Sequence, residues 1–161
     1  LVYIIIDNQI FFMSKERELM NQFINDLSGN FKYDNIKTEY YPVDHHQQFG
    51  KGDLIIYSKN TINVIEFKYL DTNNSKNAKR RRTKMRQKLR DQAKTYAAFA
   101  KIYNKTKKVN GTAITNQGSN VIIRNISYAT SLKWLIHKMN NGDQMMLQFK
   151  SYLKKCLYKI I

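Results

Sequence analysis

The chain predicts an α/β domain, on three observations. Residues 52–58 and 62–68 are two runs rich in β-branched and aromatic residues, joined by the polar turn 59–61, which is a hairpin signal. An amphipathic helical stretch precedes this hairpin and a long helical stretch follows it. Two more strand-like runs, 108–116 and 121–126, flank the turn Gln117-Gly118-Ser119-Asn120.

Taken in order, residues 1–6 read as a short strand. The run is interrupted by Asp7 and lacks a basic leader, so it makes a poor signal peptide. Met13-Ser14-Lys15 is a second plausible natural start. Ser14 is a good N-cap, and Leu19, Met20, Phe23, Ile24 and Leu27 form an apolar stripe that ends near Ser28-Gly29-Asn30. One turn back along that stripe stands Glu16, an acid where an apolar residue is expected, whereas Glu18 falls with Asn21, Gln22 and Asn25 on the polar side. The alternative for Glu16 is an exposed first turn. Residues 35–43 read as a strand broken by Pro42. The loop 44–51 carries His45 and His46, which could touch substrate or metal but lack ligand spacing to another strong donor, so a surface loop is the favoured reading. A polar connection, 69–77, leads to a helix over 78–103. Helices are also expected over 131–139 and 143–161, separated by Asn140-Asn141-Gly142. In the last of these, Met146, Phe149, Leu153, Leu157 and Ile160 share one side and Lys150, Lys154, Lys155 and Lys159 lie elsewhere. Such a helix can bind membranes or partner grooves; packing on this domain, or on a second copy in a homodimer, is the simpler expectation.

At 161 residues the chain is most simply one domain (1–161), with a core over about 14–126 and C-terminal helices over about 131–161. No apolar run approaches bilayer length, so no membrane partner is expected. The single cysteine, Cys156, excludes an internal disulfide and a cysteine-based zinc cluster. That usage fits an intracellular protein, in the nucleus or cytoplasm of a host cell and not secreted. Abundant Asn, Lys, Ile and Tyr fit an AT-rich genome, such as that of a virus or mobile element. The formal net charge is +16, from 28 Lys and Arg against 12 Asp and Glu, and a field of that sign collects polyanions. Residues 76–90 hold nine basic residues and no acid. A run this dense can be a solvated face, a nuclear-localisation signal or a phosphate-binding surface; its place directly after the hairpin favours phosphate contact, through Arg80, Arg81, Arg82, Lys84 and Arg86. Lys51, just before the hairpin, joins that set.

Asp53 opens the first hairpin strand, and Glu66 and Lys68 end the second, two residues apart and so on one face. Charges among buried apolar strands need a partner or a metal. A solvated ion pair is the bland alternative. Asp53 followed by Glu66-x-Lys68 resembles the PD-(D/E)xK, restriction-endonuclease-like nuclease superfamily, with Gly52 standing where the family name has Pro. The resemblance implies a restriction-endonuclease-like core, with a mixed central sheet flanked by helices, and cleavage of phosphodiester bonds in DNA in preference to RNA. It implies Mg²⁺ or Mn²⁺ held by Asp53, Glu66 and the Phe67 backbone carbonyl, with Glu16 completing the site, and Lys68 orienting or helping to deprotonate the attacking water. Carboxylate-held Mg²⁺ would stabilise charge on the attacking and leaving oxygens. Gln92 and Tyr96 share a helical face, and Gln-x-x-x-Tyr resembles RecB-like nucleases, in which the pair lies beside the substrate backbone. Alternatively Leu89, Ala93, Ala97, Ala100 and the Tyr96 ring form a packing stripe whose small residues let the helix approach the sheet. The order of elements also resembles, more weakly, the endonuclease-like nuclear protein of herpesviruses. A catalytically inactive nucleic-acid-binding protein on the same fold, or an RNA endonuclease, is the competing expectation.

Overall fold

A computed structural model describes residues 3–6, 9–12, 14–28, 35–42 and 50–141. His45, His46, Cys156 and the helix expected over 143–161 lie outside the described residues. The described residues form a five-stranded mixed sheet, a separate two-stranded sheet and three helices. β1 (Tyr3–Ile6) pairs antiparallel with β2 (Gln9–Phe12) as a separate two-stranded sheet, so the expected strand at the start is the first half of a hairpin. α1 (Lys15–Ser28) begins where Ser14 was expected to cap it: the Ser14 hydroxyl accepts from Arg17 N at 3.2 Å.

The main sheet holds β3 (Asn35–Tyr40), β4 (Gly52–Tyr57), β5 (Thr61–Lys68), β6 (Lys108–Thr115) and β7 (Gly118–Ile123), in that spatial order. The expected hairpin is β4 with β5, antiparallel, Tyr57 opposite Ile62 and Leu54 opposite Ile65. β5 and β6 are parallel, so the chain must cross over between them, and α2 (Lys76–Tyr103) is that crossover. The other neighbouring pairs are antiparallel.

Local chemistry moves three boundaries from their expected places. α2 starts at Lys76, not residue 78, because the Ser75 hydroxyl accepts from Ala78 N and caps the first turn. α3 (Tyr128–Asn140) likewise starts three residues early, capped by Ser127. Thr115 pairs with Gly118, which closes a two-residue turn and turns the expected loop residues 118–120 into strand.

The sheet divides the core into two layers. Ile55, Ile62 and Val64 pack with Tyr96, Ala97, Phe99 and Leu135 on the α2 and α3 side. Leu54, Ile56, Ile65, Phe67 and Ile114 pack with Met20, and with Phe23 and Ile24, on the α1 side. α2 lies close to the sheet because Ala93 and Ala97 face Gly111: a Cβ built at Gly111 would come 3.0 Å from the Ala93 carbonyl oxygen and 3.1 Å from the Ala97 Cβ.

Candidate active site

The β4–β5 ladder stops at the pair Leu54 and Ile65, and beyond it side chains replace main-chain pairing. Asp53 N donates to Glu66 Oε1 at 3.3 Å, and Phe67 N donates to Asp53 Oδ2 at 2.7 Å, so each carboxylate is fixed by the opposite strand's backbone. Gln92 Nε2, reaching across from α2, donates to Glu66 Oε2 at 2.8 Å. Glu66 is 0 % exposed, and among the described residues these neutral donors are the ones its two oxygens meet. Burial, then the nearby Asp53 charge, pushes its pKa well above the usual carboxylate range. Asp53 is raised as well, first by burial and then, against the Phe67 N–H, by the charge of Glu16.

Glu16, the expected third acid, faces the sheet side but pairs with Lys68. Glu16 Oε2 lies 2.7 Å from Lys68 Nζ, so the helical phase that put Glu16 on the sheet side was right, and Lys68 carries an ion pair between α1 and β5. Glu16, Asp53 and Phe67 line one cavity of about 150 Å³ together with Ser14, Arg17, Met20 and Glu39. Glu18, placed by phase on the polar side, is half-buried; its Oε1 is covered and has no hydrogen-bond partner among the described residues.

Of the readings offered for Gln92 and Tyr96, the structure shows the packing stripe and places Gln92 against Glu66. Gln92 bonds Glu66, while Tyr96 is buried with Leu89, Ala93, Ala97 and Ala100 in the stripe that meets the sheet. The Tyr96 hydroxyl donates to the Lys51 carbonyl at 3.5 Å, and burial with the Glu66 charge lifts its pKa to about 12. Phe67 is buried with its ring edge-on to Phe23 at 5.6 Å.

The basic residues do not form one surface. Arg80, Arg81 and Lys84 are exposed. Arg82 is not: it is 8 % exposed and donates to the Asp71 carbonyl at 2.9 Å and to the Asn73 carbonyl, tying the loop after β5 to α2. It therefore departs from the expected phosphate row, since it falls on the same inward stripe as Ala78 and Leu89. Arg86 bonds the Gln117 side chain, and Lys51 pairs with Glu39 Oε2 at 2.9 Å.

Two residues were missed from the sequence. Glu39 lines the acidic cavity from a strand position with φ of 51°, and the Tyr40 ring covers Gly52, where a Cβ would lie 2.4 Å from it. Gly52 is thus required by Tyr40. Nothing in the linear pattern marks either residue, because β3 pairs with β4 across a loop whose length hides the register.

Among the described residues no three His, Cys, Asp or Glu side chains already converge as a metal-ligand set. What fits a metal is the chemistry of Asp53 and Glu66: two hard oxygen donors close together, Glu66 buried and Asp53 half-buried, with Lys68, which Glu16 engages, as the cation acting on Asp53 among the described residues. No protein-family model, curated protein or solved structure significantly matches the chain.

Proposed function

We propose that the chain is a Mg²⁺- or Mn²⁺-dependent nuclease of the PD-(D/E)xK type with a restriction-endonuclease-like core, hydrolysing phosphodiester bonds in DNA. The observation that carries this reading is the close pair of buried Glu66 and half-buried Asp53, each carboxylate held by the opposite strand's backbone, with Lys68 at the same strand end; burial raises both pKa values, the Asp53 charge adds to the rise at Glu66, and the Glu16 charge adds to that at Asp53. A buried carboxylate with no cation paired to it among the described residues, as at Glu66, costs stability, and such sites occur where function needs them.

Asp53 and Glu66, with the Phe67 carbonyl, would hold the ion, and the ion would supply the positive charge that phosphoryl oxygens need in the transition state. The chain's own residues do the rest. The Phe67 and Asp53 N–H groups and Gln92 hold the two carboxylates in place, so little reorganisation accompanies binding. Lys68, released from Glu16 or shared with it, orients the attacking water and offsets phosphate charge. Exposed Arg80 and Arg81 attract the backbone. A non-catalytic nucleic-acid-binding protein is the second reading, supported by the Glu16–Lys68 pair, which occupies the lysine, and by the lack of a preformed third ligand.

Incubation of the purified chain with single-stranded, duplex, branched and RNA substrates, with Mg²⁺, Mn²⁺ or EDTA, separates the two. Asp53→Ala and Glu66→Ala should each lower metal-dependent cleavage about a thousand-fold or more, the loss of several kcal/mol of charge stabilisation, while nucleic-acid binding survives. Lys68→Ala should lose cleavage but keep metal binding. Wild-type protein that cuts nothing with any divalent metal would sink the enzyme reading.

A further inference from the structure

A cavity of about 610 Å³ lies against α2 beside the candidate site, lined by Lys84, Gln87, Lys88, Asp91, Gln92, Thr95, Tyr96 and, from α3, Lys138. Gln92 belongs to both places, since it lines this groove and donates to Glu66 at 2.8 Å. The groove holds three cations against one carboxylate, and that carboxylate, Asp91, is engaged by Gln87 at 3.1 Å. Lys84 and Lys88 stand one turn, about 6 Å, apart on α2, and the next turn along that face brings the polar Gln92, which bonds Glu66. The lysine stems, Thr95 and the Tyr96 ring give the groove apolar walls below those charged heads. That combination suits an unpaired nucleotide strand, whose phosphates want cations and whose bases want an apolar face.

We propose that this groove binds a single nucleic-acid strand, or the frayed end of a duplex, and leads it to the Asp53–Glu66 pair, with Lys84, Lys88 and Lys138 on its phosphates. The proposal rests on the nuclease reading for the fate of the strand but not for its binding.

The molecule carries its own probe. Trp134 is the only tryptophan, its Nε1 donates to Thr95 Oγ1 at 3.0 Å, and the ammonium groups of Lys94 and Lys138 stand 3.7 Å and 5.7 Å from its ring centroid. A strand in the groove engages Lys138, which lies over the Trp134 ring, and so changes the emission. The experiment titrates the full chain with oligothymidylate and with a blunt duplex of equal length, in EDTA, following tryptophan fluorescence at several salt concentrations. Expected are a fluorescence change with the single strand, tighter binding of it than of the duplex, and a Lys84→Gln/Lys88→Gln variant that flattens the slope of log affinity against log salt by about 1.4. Adding Lys138→Gln should bring the flattening to about 2. Tighter binding of the duplex, or an unchanged slope in the variants, overturns the groove assignment. Metal-dependent cleavage by wild type decides the nuclease reading separately. Cleavage with an unaltered slope defeats only the groove, and a groove-dependent slope without cleavage defeats only the nuclease.

Discussion

Glu66 concentrates the energetic tension of the molecule in one side chain. Its oxygens are satisfied by Asp53 N and Gln92, so it does not lack hydrogen bonds; among the described residues no cation pairs with it. The folded pKa values of Glu66 and Asp53 are raised, first by burial in each case. Between the unfolded carboxylate value of about 4 and those raised values, the folded state therefore binds more protons than the unfolded one. Stability of the metal-free protein should fall as pH rises through that window. Glu66→Gln removes the buried charge and keeps the shape, so it should raise metal-free stability near neutral pH by roughly 1 kcal/mol or more and flatten the fall. Chemical denaturation at a series of pH values measures both, and parallel curves for wild type and variant would show that Glu66 is not the strained group. Mg²⁺ or Mn²⁺ at about 100 times its Kd should add about 2.7 kcal/mol to wild type, and much less to Asp53→Ala.

At the scale of elements, α2 does two things with two faces. Its inward stripe, Ala78, Arg82, Leu89, Ala93, Ala97 and Ala100, holds the helix to the sheet, and its other face carries the cations and the groove. Gly111→Ala should cost about 1–3 kcal/mol, because the Ala93 backbone must move. Arg82→Gln should cost a similar amount by leaving the Asp71 and Asn73 carbonyls without their charged donor. Arg80→Gln and Arg81→Gln, on the exposed face, should change stability by less than about 0.5 kcal/mol. Thermal unfolding of the four variants tests the division, and equal losses at Arg80 and Arg82 would remove it.

For the whole molecule the governing quantity is the net charge of +16, which makes association with polyanions strong and salt-dependent whatever the chemistry at Glu66. No helix among the described residues is long and apolar enough to cross a membrane. Arg80→Gln/Arg81→Gln should flatten the salt slope for duplex DNA by about 1.8 and weaken every sequence alike, since phosphate contacts position without specifying. Fluorescence anisotropy on two unrelated duplexes checks it. A sequence-dependent loss would assign these arginines to base edges instead, and an unchanged slope with lost nuclear import of a tagged chain would make the run an address.

The sequence by itself determined the α/β class and the hairpin with Asp53 and Glu66 at its open end, and it offered, among alternatives, the approach of α2 through small residues and the inward phase of Glu16. These are local properties: alternation, helical period and turn chemistry act over a few residues, and each leaves a mark in the string. Only the tertiary structure decided that β5 and β6 run parallel, that Glu39 and Tyr40 close on the site, that Arg82 is spent on the loop after β5, and that Lys138 joins Lys84 and Lys88 around one groove. Those facts depend on which distant segments meet. Such meetings are set by packing and strand register across loops, and neither is encoded within any short window of the chain.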